Sequence, residues 1–489
     1  MDLSLKRIKV LLSHLQYTLP TIHITGTNGK GSVSSLVASI LQASGFTVGR
    51  FNSPHLISVL DSVMINDKPV VLDLYNDARR IVEDLNSELS IGATSFELLT
   101  ATALMLFESA KLDIVVLEVG MGGLTDATNA VSDDCILVSA LTAVDLDHQK
   151  FLGDTVDTIA TQKAGIARNG RPFIIGPQKY PDVMVSVRAV VEEVGADLVC
   201  AHPAVTRMWD EAVDGPEPDA TSPSPFRPTA VRPVSLSLPC FPDHILTQLP
   251  LHGDHQLDNL GVASSIISSL LTHPSSTHTH RLPFRSKITP SSIAAGVRST
   301  TWAGRLSFHN VPLSKLCLPG SGTKDHDESL VVLVDGAHNP ASASVLASYL
   351  SDLFKSTPVG GSEEVNLTFL LALSHSPPKT PLQTLSPLLS FKRPTNVKIN
   401  VRAAALEFTP VEGMSWVVPV PSSEVRDVIR VINDDISLWT PRDGERESVT
   451  NALLWAHKEQ QKHGERGIVC IAGSLYLVAD FYREYQCPP

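Results

Sequence analysis

The chain has 489 residues, of which 39 are Lys or Arg and 51 are Asp or Glu, so its formal net charge is −12. This length exceeds one ordinary domain of roughly 100–200 residues, so we predict two or more domains. The acidic balance argues against a protein that binds nucleic acid or an anionic membrane, because phosphate backbones require a basic surface. A small anionic substrate is still compatible with a net negative charge, since a nest of backbone amides can bind an anion locally.

The six cysteines are scattered and form no C-x-x-C pair. This pattern excludes a disulfide scaffold and a clustered zinc site, and it predicts a reducing compartment. No apolar run approaches the roughly 18 residues that a membrane-spanning helix needs. No signal-peptide h-region opens the chain, and residues 5–12 have the apolar spacing of a surface helix. An amphipathic targeting peptide would have similar spacing, but this stretch is short and poor in Ser and Arg. We therefore expect a cytoplasmic protein, with a mitochondrial pool as the alternative.

From residue 21 to about residue 178, short apolar runs alternate with helical patterns. Runs this short and this continuously apolar are typical of strands buried on both faces, and therefore of a parallel sheet built from βαβ units. Residues 33–43, between the first two runs, have a helical pattern that Gly45 ends. The predicted strands are residues 22–25, 48–51, 114–117, 136–140 and 173–175.

The composition changes between residues 202 and 248. Segments 214–218 and 222–225 are rich in Pro, with Gly or Ser, which disfavours packed elements, so we predict a flexible surface insertion over 202–248. We interpret the His-containing residues 272–290 as a solvated loop rather than a metal site. From about residue 300 a second α/β segment follows, with predicted strands at 330–334, 367–373 and 468–472.

The most informative segment is residues 24–32, Ile-Thr-Gly-Thr-Asn-Gly-Lys-Gly-Ser, between a predicted strand and a predicted helix. Its glycines let backbone N–H groups turn towards an anion, and the helix N-terminus adds a positive dipole. Lys30 supplies a point charge, and Ser32 can bind Mg²⁺. A dinucleotide-binding turn requires G-x-G-x-x-G and has no use for the lysine. A Gly-rich turn without a ligand is the alternative, and we predict a phosphate-binding loop.

Polar residues follow three of the predicted strands, where ligands bind in an open parallel sheet. Glu118 directly follows an apolar run and can hold Mg²⁺ against phosphates, whereas Asp126 could equally be a helix cap. Residues 145–148 end in an Asp-His pair after the next run. Residues 335–340, Asp-Gly-Ala-His-Asn-Pro, follow a strand of the second segment. The last two clusters are only suggestive by themselves.

Taken together, these motifs resemble the folylpolyglutamate synthase and dihydrofolate synthase family, within the Mur-ligase-like ATP-dependent amide ligases. The segments occur in the family's order and cover nearly the whole chain apart from the insertions. The Thr27-Asn28 form of the loop and residues 96–100 and 411–416 look most like fungal dihydrofolate synthases. The matching segments are residues 24–32, 52–56, 96–100, 118–129, 147–153, 162–166, 253–259, 304–306, 335–340 and 472–476.

The resemblance implies an α/β fold with an N-terminal P-loop-type parallel-sheet ATPase domain and a smaller, Rossmann-like C-terminal domain. Residues 1–297 would bind ATP and the pteroate, and residues 298–489 would form the glutamate-ligase domain. The implied reaction is ATP-dependent ligation of L-glutamate to 7,8-dihydropteroate through an acyl phosphate, giving 7,8-dihydrofolate, ADP and phosphate. The alternative is a folylpolyglutamate synthase that adds glutamates to tetrahydrofolate, and a more remote one is a nucleotide-binding regulator without catalysis. We expect a monomer.

The resemblance also implies roles for individual residues. The expected ATP-binding residues are Gly29, Lys30, Gly31, Ser32, Asn259, Arg305 and Asp335. Two Mg²⁺ sites are implied, whose expected ligands are Ser32 with Glu118, and Ser53 with Glu118 and His148. The expected catalytic residues are Lys30, Lys163, His148, Asp335 and His338. The expected pteroate-binding residues are Thr94, Ser95, Phe96, Glu97, Thr125, Asp126 and Ala127.

Lys163 matches the family lysine that CO₂ converts to a carbamate, although its sequence context alone suggests an ordinary lysine on a helix surface. Two departures from the family pattern stand near the expected pteroate. Many members place an arginine where this chain has Asp61-Ser62, and the usual Arg-Leu pair is Leu124-Thr125 here. Both replacements remove positive charge, which a polyglutamate tail would require, so they favour the dihydropteroate reaction.

Overall fold

The computed structural model describes residues 4–217, 231–278, 282–316, 329–356, 364–394, 398–411, 417–441, 447–462 and 466–485. Two segments singled out in the sequence, residues 218–230 and 412–416, lie outside this set. The described chain divides into two compact units. The first contains the described residues up to Glu217 and then Val231–Thr301, and the second begins at Trp302. The functional roles of the two predicted domains stay a prediction.

The first unit contains an eight-stranded sheet, a three-stranded sheet and the helices that pack on them. Its strands are β1 (Thr21–Thr25), β2 (Val48–Phe51), β3 (Val63–Ile65), β4 (Lys68–Pro69), β5 (Ile114–Glu118), β6 (Ile136–Leu141), β7 (Pro172–Ile175), β8 (Asp197–Cys200), β9 (Val205–Thr206), β10 (Arg232–Leu236) and β11 (Ile245–Leu249). Its helices are α1 (Lys6–His14), α2 (Lys30–Ala43), α3 (Leu72–Glu88), α4 (Ser95–Ser109), α5 (Gln149–Leu152), α6 (Val156–Ala164), α7 (Pro181–Val194), α8 (Glu211–Asp214), α9 (His255–Thr272), α10 (Pro274–His278), α11 (Phe284–Lys287) and α12 (Pro290–Ser299).

The eight-stranded sheet has the order β4-β3-β2-β5-β1-β6-β7-β8. From β2 to β8 the neighbouring strands are parallel, and β3 and β4 add an antiparallel edge. Every residue of β1, β5 and β6 is buried, as the continuous apolar runs predict. Ile24 lies level with Glu118, and Phe51 lies level with Leu117. The carboxyl ends of β1, β2 and β5 therefore meet at one edge of the sheet.

The second unit has its own six-stranded sheet. Its strands are β12 (Ser307–Pro312), β13 (Ser329–Val334), β14 (Glu364–Leu371), β15 (Lys398–Ala405), β16 (Ser437–Leu438) and β17 (Arg466–Ala472). Its helices are α13 (Leu313–Leu316), α14 (Pro340–Ser356), α15 (Pro381–Leu389), α16 (Ser422–Ile432), α17 (Val449–Lys462) and α18 (Leu475–Tyr485). The order is β12-β13-β17-β14-β15-β16, parallel except for β12. Val365, Leu367, Phe369 and Leu371 face a core shared with α14, α15 and α16. The predicted α/β fold class is confirmed.

The prediction of an insertion without packed elements over 202–248 is wrong for the described residues. Strands β9, β10 and β11 form an antiparallel sheet, and β10 and β11 bury alternate side chains. Asp214, in a segment predicted to be unpacked, accepts two 2.6 Å hydrogen bonds from the Arg207 guanidinium. Burial alternates along 232–236 and 245–249, but the residue types do not alternate clearly, since Leu246 is exposed and Thr247 is buried. The strand pattern in the sequence is therefore weak there.

The described residues of the stretch 272–290 are not simply a loop, because α10 and α11 lie among them, and residues 279–281 lie outside the described set. His273 Nε2 is 2.9 Å from the Asp197 carboxylate, so this histidine is paired with β8 rather than solvated. Cys135, Cys200, Cys240 and Cys470 are free thiols. Within the described part of the chain, no helix is both long enough and apolar enough to cross a membrane. The predicted cytoplasmic location and monomeric state stay predictions.

Candidate active site

The predicted phosphate loop joins the end of β1 to the start of α2. The N–H groups of Thr27 and Asn28 donate to the Ala143 carbonyl at 2.8 and 3.2 Å, and Thr142 Oγ1 donates to Asn28 O at 2.7 Å. Gly29 has a φ of +94°, and a Cβ there would overlap the Asn259 side chain. Only glycine combines this backbone conformation with such close packing. The loop is therefore held in place by the segment after β6 and by α9.

Lys30 is the first residue of α2, and its ammonium group points back into the loop. Lys30 Nζ donates to Gly26 O at 3.1 Å and to Thr27 O at 3.3 Å, and it lies 4.0 Å from Glu118 Oε1. Glu118 is buried at the carboxyl end of β5. The loop thus places a cation next to a buried carboxylate, at the sheet edge where ligands bind in folds of this class.

Ser32 and Asn259, both predicted to bind nucleotide, are linked by a residue that the sequence did not single out. Gln256 Nε2 donates to Ser32 Oγ at 3.3 Å, and Asn259 Nδ2 donates to Gln256 Oε1 at 2.8 Å. All three side chains are buried. A pocket beside the loop is lined by Asn28, Gly29, Thr142, Gly176, His255 and Asn259. The structure therefore joins the predicted phosphate loop and Asn259 in one concave site.

The donor set at this edge suits Mg²⁺ better than a transition metal. Ser53 follows β2, and its Oγ is buried without a hydrogen-bond partner among the residues that the structure describes. Among the residues that the structure describes, no group of three or more His, Cys, Asp or Glu side chains could hold a metal by itself. Mg²⁺ is commonly bound by one or two carboxylates, water and the phosphates of a nucleotide. Ser32, Ser53 and Glu118 therefore offer oxygen atoms that fit such an ion.

His148, the remaining predicted metal ligand, lies at the start of α5. Its backbone has a φ of +52°, and its exposed ring places Nε2 3.9 Å from Asp147 Oδ2. Thr27 Oγ1 donates to Asp145 O, and the Asp145 N–H donates back to Thr27 Oγ1, both at 3.1 Å. This reciprocal pair fixes the segment that carries His148 against the phosphate loop. A contact of His148 with Ser53 or Glu118 stays a prediction.

Lys163 does not lie on a helix surface, as its sequence context suggested. It is 3% exposed, and its Nζ donates to Gly26 O at 2.8 Å, so Lys30 and Lys163 donate to the same carbonyl oxygen. Burial, together with repulsion from Lys30, lowers the pKa of Lys163 from 10.5 to about 7, against the raising effect of Asp147 and Asp126. A lysine with this pKa is largely a neutral amine just above neutral pH.

The burial of Lys163 depends on the glycine run after β5. Thr25 Oγ1 donates to Gly122 O at 2.6 Å, and the Leu124 N–H donates to Gln162 O at 2.8 Å. A Cβ on Gly123 would lie 2.7 Å from the carbonyl oxygen of Lys163. A glycine at this position is what lets the loop close over the last turn of α6.

Several predicted pteroate-binding residues have clear structural roles. Thr94 and Glu97 form a reciprocal capping box at the start of α4, and Glu97 also accepts from Arg7 Nε at 3.0 Å. Asp126 caps the short 3₁₀ helix Ala127–Ala130 by accepting from the Thr128 N–H at 3.0 Å and its hydroxyl at 2.6 Å. Burial raises the pKa of Asp126 above its ordinary value. Asp126 thus caps the 3₁₀ helix through Oδ1, and its Oδ2 also accepts from the Met121 N–H at 2.8 Å.

The other members of that set differ in exposure. Ser95 and Thr125 are exposed, Phe96 is half-buried with its ring against Gly120, and Ala127 is buried. An exposed hydroxyl or a half-buried ring is available to a ligand, whereas the capping oxygen atoms are already engaged. The pteroate contacts of the whole set stay a prediction.

The departure at Asp61 has a structural explanation. The Asp61 carboxylate accepts hydrogen bonds from three successive backbone N–H groups, those of Leu56, Ile57 and Ser58, at 2.9, 2.7 and 3.0 Å. It thereby closes the loop that follows Ser53. The acidic residue at this position therefore organises the loop from within.

The predicted residues of the second unit form a compact turn of their own. Asp335 is buried, and its carboxylate accepts from the N–H groups of Leu306 and Ala337, both at 2.8 Å. Burial raises the pKa of Asp335 despite the lowering effect of Arg305. His338 Nδ1 is 3.0 Å from Gly336 O, so Nδ1 carries the proton. Asp335 thus holds the turns bearing Arg305 and His338 together. Nucleotide binding and catalysis by these residues stay predictions.

Arg50 on β2 and Asn52, which follows β2, were given no role in the site from the sequence. Arg50 and Asn52 are buried and connect to Glu118 through hydrogen bonds. The available clue was an arginine within the run Val-Gly-Arg-Phe, because a charged residue inside a buried strand is rare unless it is paired. Gln256 had no comparable clue.

Comparisons with known proteins agree with this geometry. Residues 24–175 match the Mur ligase middle domain, and residues 321–484 match the C-terminal domain of dihydrofolate synthetase. The chain is 31% identical over 489 residues to a dihydrofolate synthetase of Saccharomyces cerevisiae, covering 99% of this chain and 98% of the relative. It is 27% identical over 485 residues to a probable dihydrofolate synthetase of Schizosaccharomyces pombe, with the same coverage.

The fold is also similar to that of a solved structure, a folylpolyglutamate synthase of Mycobacterium tuberculosis complexed with ADP. The TM-score is 0.74 at 24% sequence identity, covering 100% of this chain and 96% of that chain. The full-length match and the two matching domains confirm the resemblance that the motifs indicated. The chain belongs to the dihydrofolate synthetase and folylpolyglutamate synthase family of Mur-type ligases.

Proposed function

We propose that this protein is a dihydrofolate synthase, which joins L-glutamate to 7,8-dihydropteroate at the expense of ATP. Membership of the family makes the chain an ATP-dependent ligase of folate metabolism. The observation that carries the proposal is the cluster at the end of β1, where Lys30, Lys163 and Glu118 surround the loop at Gly26. The full-length match to fungal dihydrofolate synthetase favours dihydropteroate as the acid that is activated.

The proposed reaction has two steps, because a carboxylate is a poor electrophile until one of its oxygens becomes part of a leaving group. A carboxylate oxygen of dihydropteroate first attacks the γ-phosphorus of ATP, and ADP leaves with the electrons of the broken P–O bond. The amine of glutamate, having lost a proton, then attacks the carbonyl carbon of the acyl phosphate. The C–O bond to phosphate breaks, which leaves an amide and inorganic phosphate.

In this proposal the chain's own groups bind and orient the nucleotide. The backbone N–H groups at the N-terminus of α2 and the Lys30 ammonium attract the phosphates, and Asn259 lines the adjoining pocket. Ser32 with Glu118 would hold one Mg²⁺, and Ser53, Glu118 and His148 a second. Bound Mg²⁺ neutralises phosphate charge during the transfer.

We also propose that CO₂ carbamylates Lys163. Carbamate formation needs an unprotonated amine, and the pKa of about 7 supplies one at neutral pH. The amine nitrogen bonds to the carbon of CO₂, one C=O π bond becomes a C–O⁻ group, and one N–H proton is released to water. The product is an anion with a remaining N–H, whereas the unmodified side chain is in part a cation that Lys30 repels. The change removes the like-charge repulsion and converts the side chain into a long carboxylate-like acceptor beside the phosphate loop.

The charge distribution near the expected pteroate supports the monoglutamate reaction over tail extension. Asp61 closes the loop after Ser53, and the neutral Leu124 and Thr125 are exposed where many relatives have an arginine. A polyglutamate tail adds a carboxylate with each residue and would be attracted by cations at these positions. Dihydropteroate has no such tail.

Parallel assays with two acids test the proposal. Purified protein is supplied with ATP, Mg²⁺ and L-glutamate, and either dihydropteroate or tetrahydrofolate. Glutamate-dependent ADP release and the mass of the product are measured. We expect dihydrofolate to form from dihydropteroate, with much slower extension of tetrahydrofolate. If only tetrahydrofolate is extended, the protein is a folylpolyglutamate synthase. If nucleotide binds but neither acid is ligated, the protein is a nucleotide-binding regulator without catalysis.

A further inference from the structure

A continuous set of hydrogen bonds runs from the β3–β4 turn to the centre of the site. Asn66 and Asp67, both with positive φ, form the two-residue turn of this hairpin. Arg50 Nη2 donates to Asp67 Oδ1 at 3.0 Å, and Arg50 Nη1 donates to Asn52 Oδ1 at 2.8 Å. Arg50 is 5% exposed, whereas the Asp67 side chain is 51% exposed. A buried guanidinium thus bridges a surface turn and an interior amide.

Arg50 determines which way the Asn52 amide faces. A guanidinium has only donors, so the Asn52 atom next to it is the oxygen, and the Asn52 NH₂ group faces the opposite way. That NH₂ group donates to Ser34 Oγ at 2.7 Å and to Glu118 Oε2. Ser34 Oγ in turn donates to Gly31 O at 2.9 Å. Both N–H bonds of Asn52 are therefore used, one towards the phosphate loop and one towards Glu118.

The two carboxylate oxygens of Glu118 consequently have different surroundings. Oε2 accepts from Asn52, and Oε1 faces the Lys30 ammonium at 4.0 Å. Arg50 also acts on Glu118 as a nearby positive charge. With one oxygen held by an amide and a buried cation behind that amide, the carboxylate has a fixed orientation and one oxygen directed towards the phosphate loop.

We propose that Arg50 and Asn52 are positioning residues that orient the Glu118 carboxylate for Mg²⁺ and couple it to the phosphate loop through Ser34. The inference rests on the proposed function, in which Glu118 is a metal ligand. Hydrogen-bond partners of metal-ligating groups fix the ligand's orientation, and losing one typically weakens metal binding by about 10–100-fold. Arg50 acts on Glu118 indirectly, by orienting the Asn52 amide that contacts it.

A purely structural role makes a different prediction. If Arg50 served only to attach the β3–β4 hairpin to β2, then removing either end of the Arg50–Asp67 pair would lower stability and leave Mg²⁺ binding unchanged. Asp67→Asn is therefore the matched control. This substitution weakens the contact between the Arg50 guanidinium and residue 67, and it leaves the contact between Arg50 and Asn52 intact.

The test uses the full chain and binding of ADP rather than turnover. Calorimetric titration measures the affinity for ADP without metal and then at increasing Mg²⁺ concentrations. The quantity compared is the Mg²⁺ concentration at which half of the Mg²⁺-dependent gain in ADP affinity is reached. The proteins are wild type, Arg50→Met, Asn52→Ala and Asp67→Asn. We expect this Mg²⁺ concentration to rise about 10-fold in Arg50→Met and Asn52→Ala, with metal-free ADP affinity unchanged. In Asp67→Asn it should stay near the wild-type value. Thermal unfolding of each variant reports the structural effect separately.

Wild-type Mg²⁺ dependence in folded Arg50→Met and Asn52→Ala would overturn the proposal, and so would an equal rise in Asp67→Asn. If Arg50→Met does not fold, Asn52→Ala decides the question, because it preserves the Arg50–Asp67 pair. Glu118→Gln is the reference variant. Loss of the Mg²⁺ effect there identifies Glu118 as a ligand, and an unchanged effect overturns both that assignment and the inference.

These measurements contain neither a pteroate nor glutamate. A protein that ligates neither acid but shows the expected Mg²⁺ shifts would refute the proposed function and leave the inference standing. A protein that forms dihydrofolate but shows no shift in the two variants would do the reverse. The two proposals therefore fail independently.

Discussion

Replacing Lys163 tests whether the amine beside the phosphate loop reacts with CO₂. The side chain is buried, donates to Gly26 O, and has a pKa of about 7 rather than 10.5. Below this pKa the group is an ammonium that cannot attack CO₂, and above it the group is a free amine. Carbamylation should therefore increase as the pH rises through about 7, roughly three pH units earlier than for an ordinary lysine.

The size of the effect follows from the two pKa values. At pH about 7.5, a group with a pKa of about 7 is about three-quarters amine, whereas one with a pKa of 10.5 is about one-thousandth amine. Lys163 thus presents several hundred times more reactive amine than a surface lysine. At the same pressure of CO₂, we expect Lys163 to be modified while exposed lysines stay essentially unmodified.

Carbon NMR under ¹³C-labelled CO₂ at constant partial pressure measures this directly. We expect a carbamate resonance that grows between pH about 6 and about 9 and disappears in Lys163→Ala. Lys287→Ala is the matched control, because Lys287 Nζ also donates to a backbone carbonyl, Gly45 O at 2.8 Å, but is only partly buried. That variant should keep the resonance.

Two results would refute the reasoning about Lys163. One is a spectrum without any resonance that depends on Lys163 across this pH range. The other is a resonance that appears only near the pKa of an exposed lysine, which would mean that burial does not depress the pKa. In Lys163→Ala, turnover should fall severely, and added short carboxylic acids should restore part of it. Unchanged turnover would exclude a catalytic role for the carbamate.

Three further substitutions test other parts of the site. Lys30→Ala should lower ADP release by about 100-fold or more, because the charge aimed at the phosphates is lost, and near-normal release would contradict that role. Asp61→Ala should lower the free energy of unfolding in urea by about 2 kcal/mol, since three backbone N–H groups lose a charged acceptor. An unchanged midpoint would show that this loop is not held by Asp61. Gly123→Ala should cost roughly 1–3 kcal/mol and reduce the carbamate resonance, because its Cβ displaces α6 at Lys163. A normal resonance there would show that α6 tolerates the methyl group.

The sequence predicted most of the central sheet because the pattern that identifies each buried strand lies within a few consecutive residues. The run Val48–Phe51 was predicted with the bounds that the structure has, and the other runs agree within a few residues. A strand buried on both faces must be continuously apolar, so it can be recognised without knowing its neighbours. The same applies to residues 24–32, whose glycines, lysine and serine predict a phosphate loop within nine consecutive positions.

Prediction from the sequence failed for strands whose hydrogen-bonded partner strand is distant along the chain. In the segment 202–248, β9 pairs with β10 across the intervening Pro- and Ser-rich residues, and neither strand is apolar throughout. Composition was therefore a poor guide there. Edge strand β12 and the partly polar strand β15 were missed for the same reason, since antiparallel edges and mixed strands are recognisable only by their pairing.

The sequence by itself determined the fold class and, through the order of its motifs, the family, and it predicted the phosphate loop. Tertiary structure decided the chemistry of individual side chains. Lys163 is 137 residues from Gly26, and only tertiary packing buries its amine beside Gly26 and Lys30, which lowers its pKa. Glu118 and Asn52 meet because β2 and β5 are in register. Apolar periodicity can be read from consecutive residues, whereas desolvation and hydrogen bonding depend on residues that are neighbours only in space.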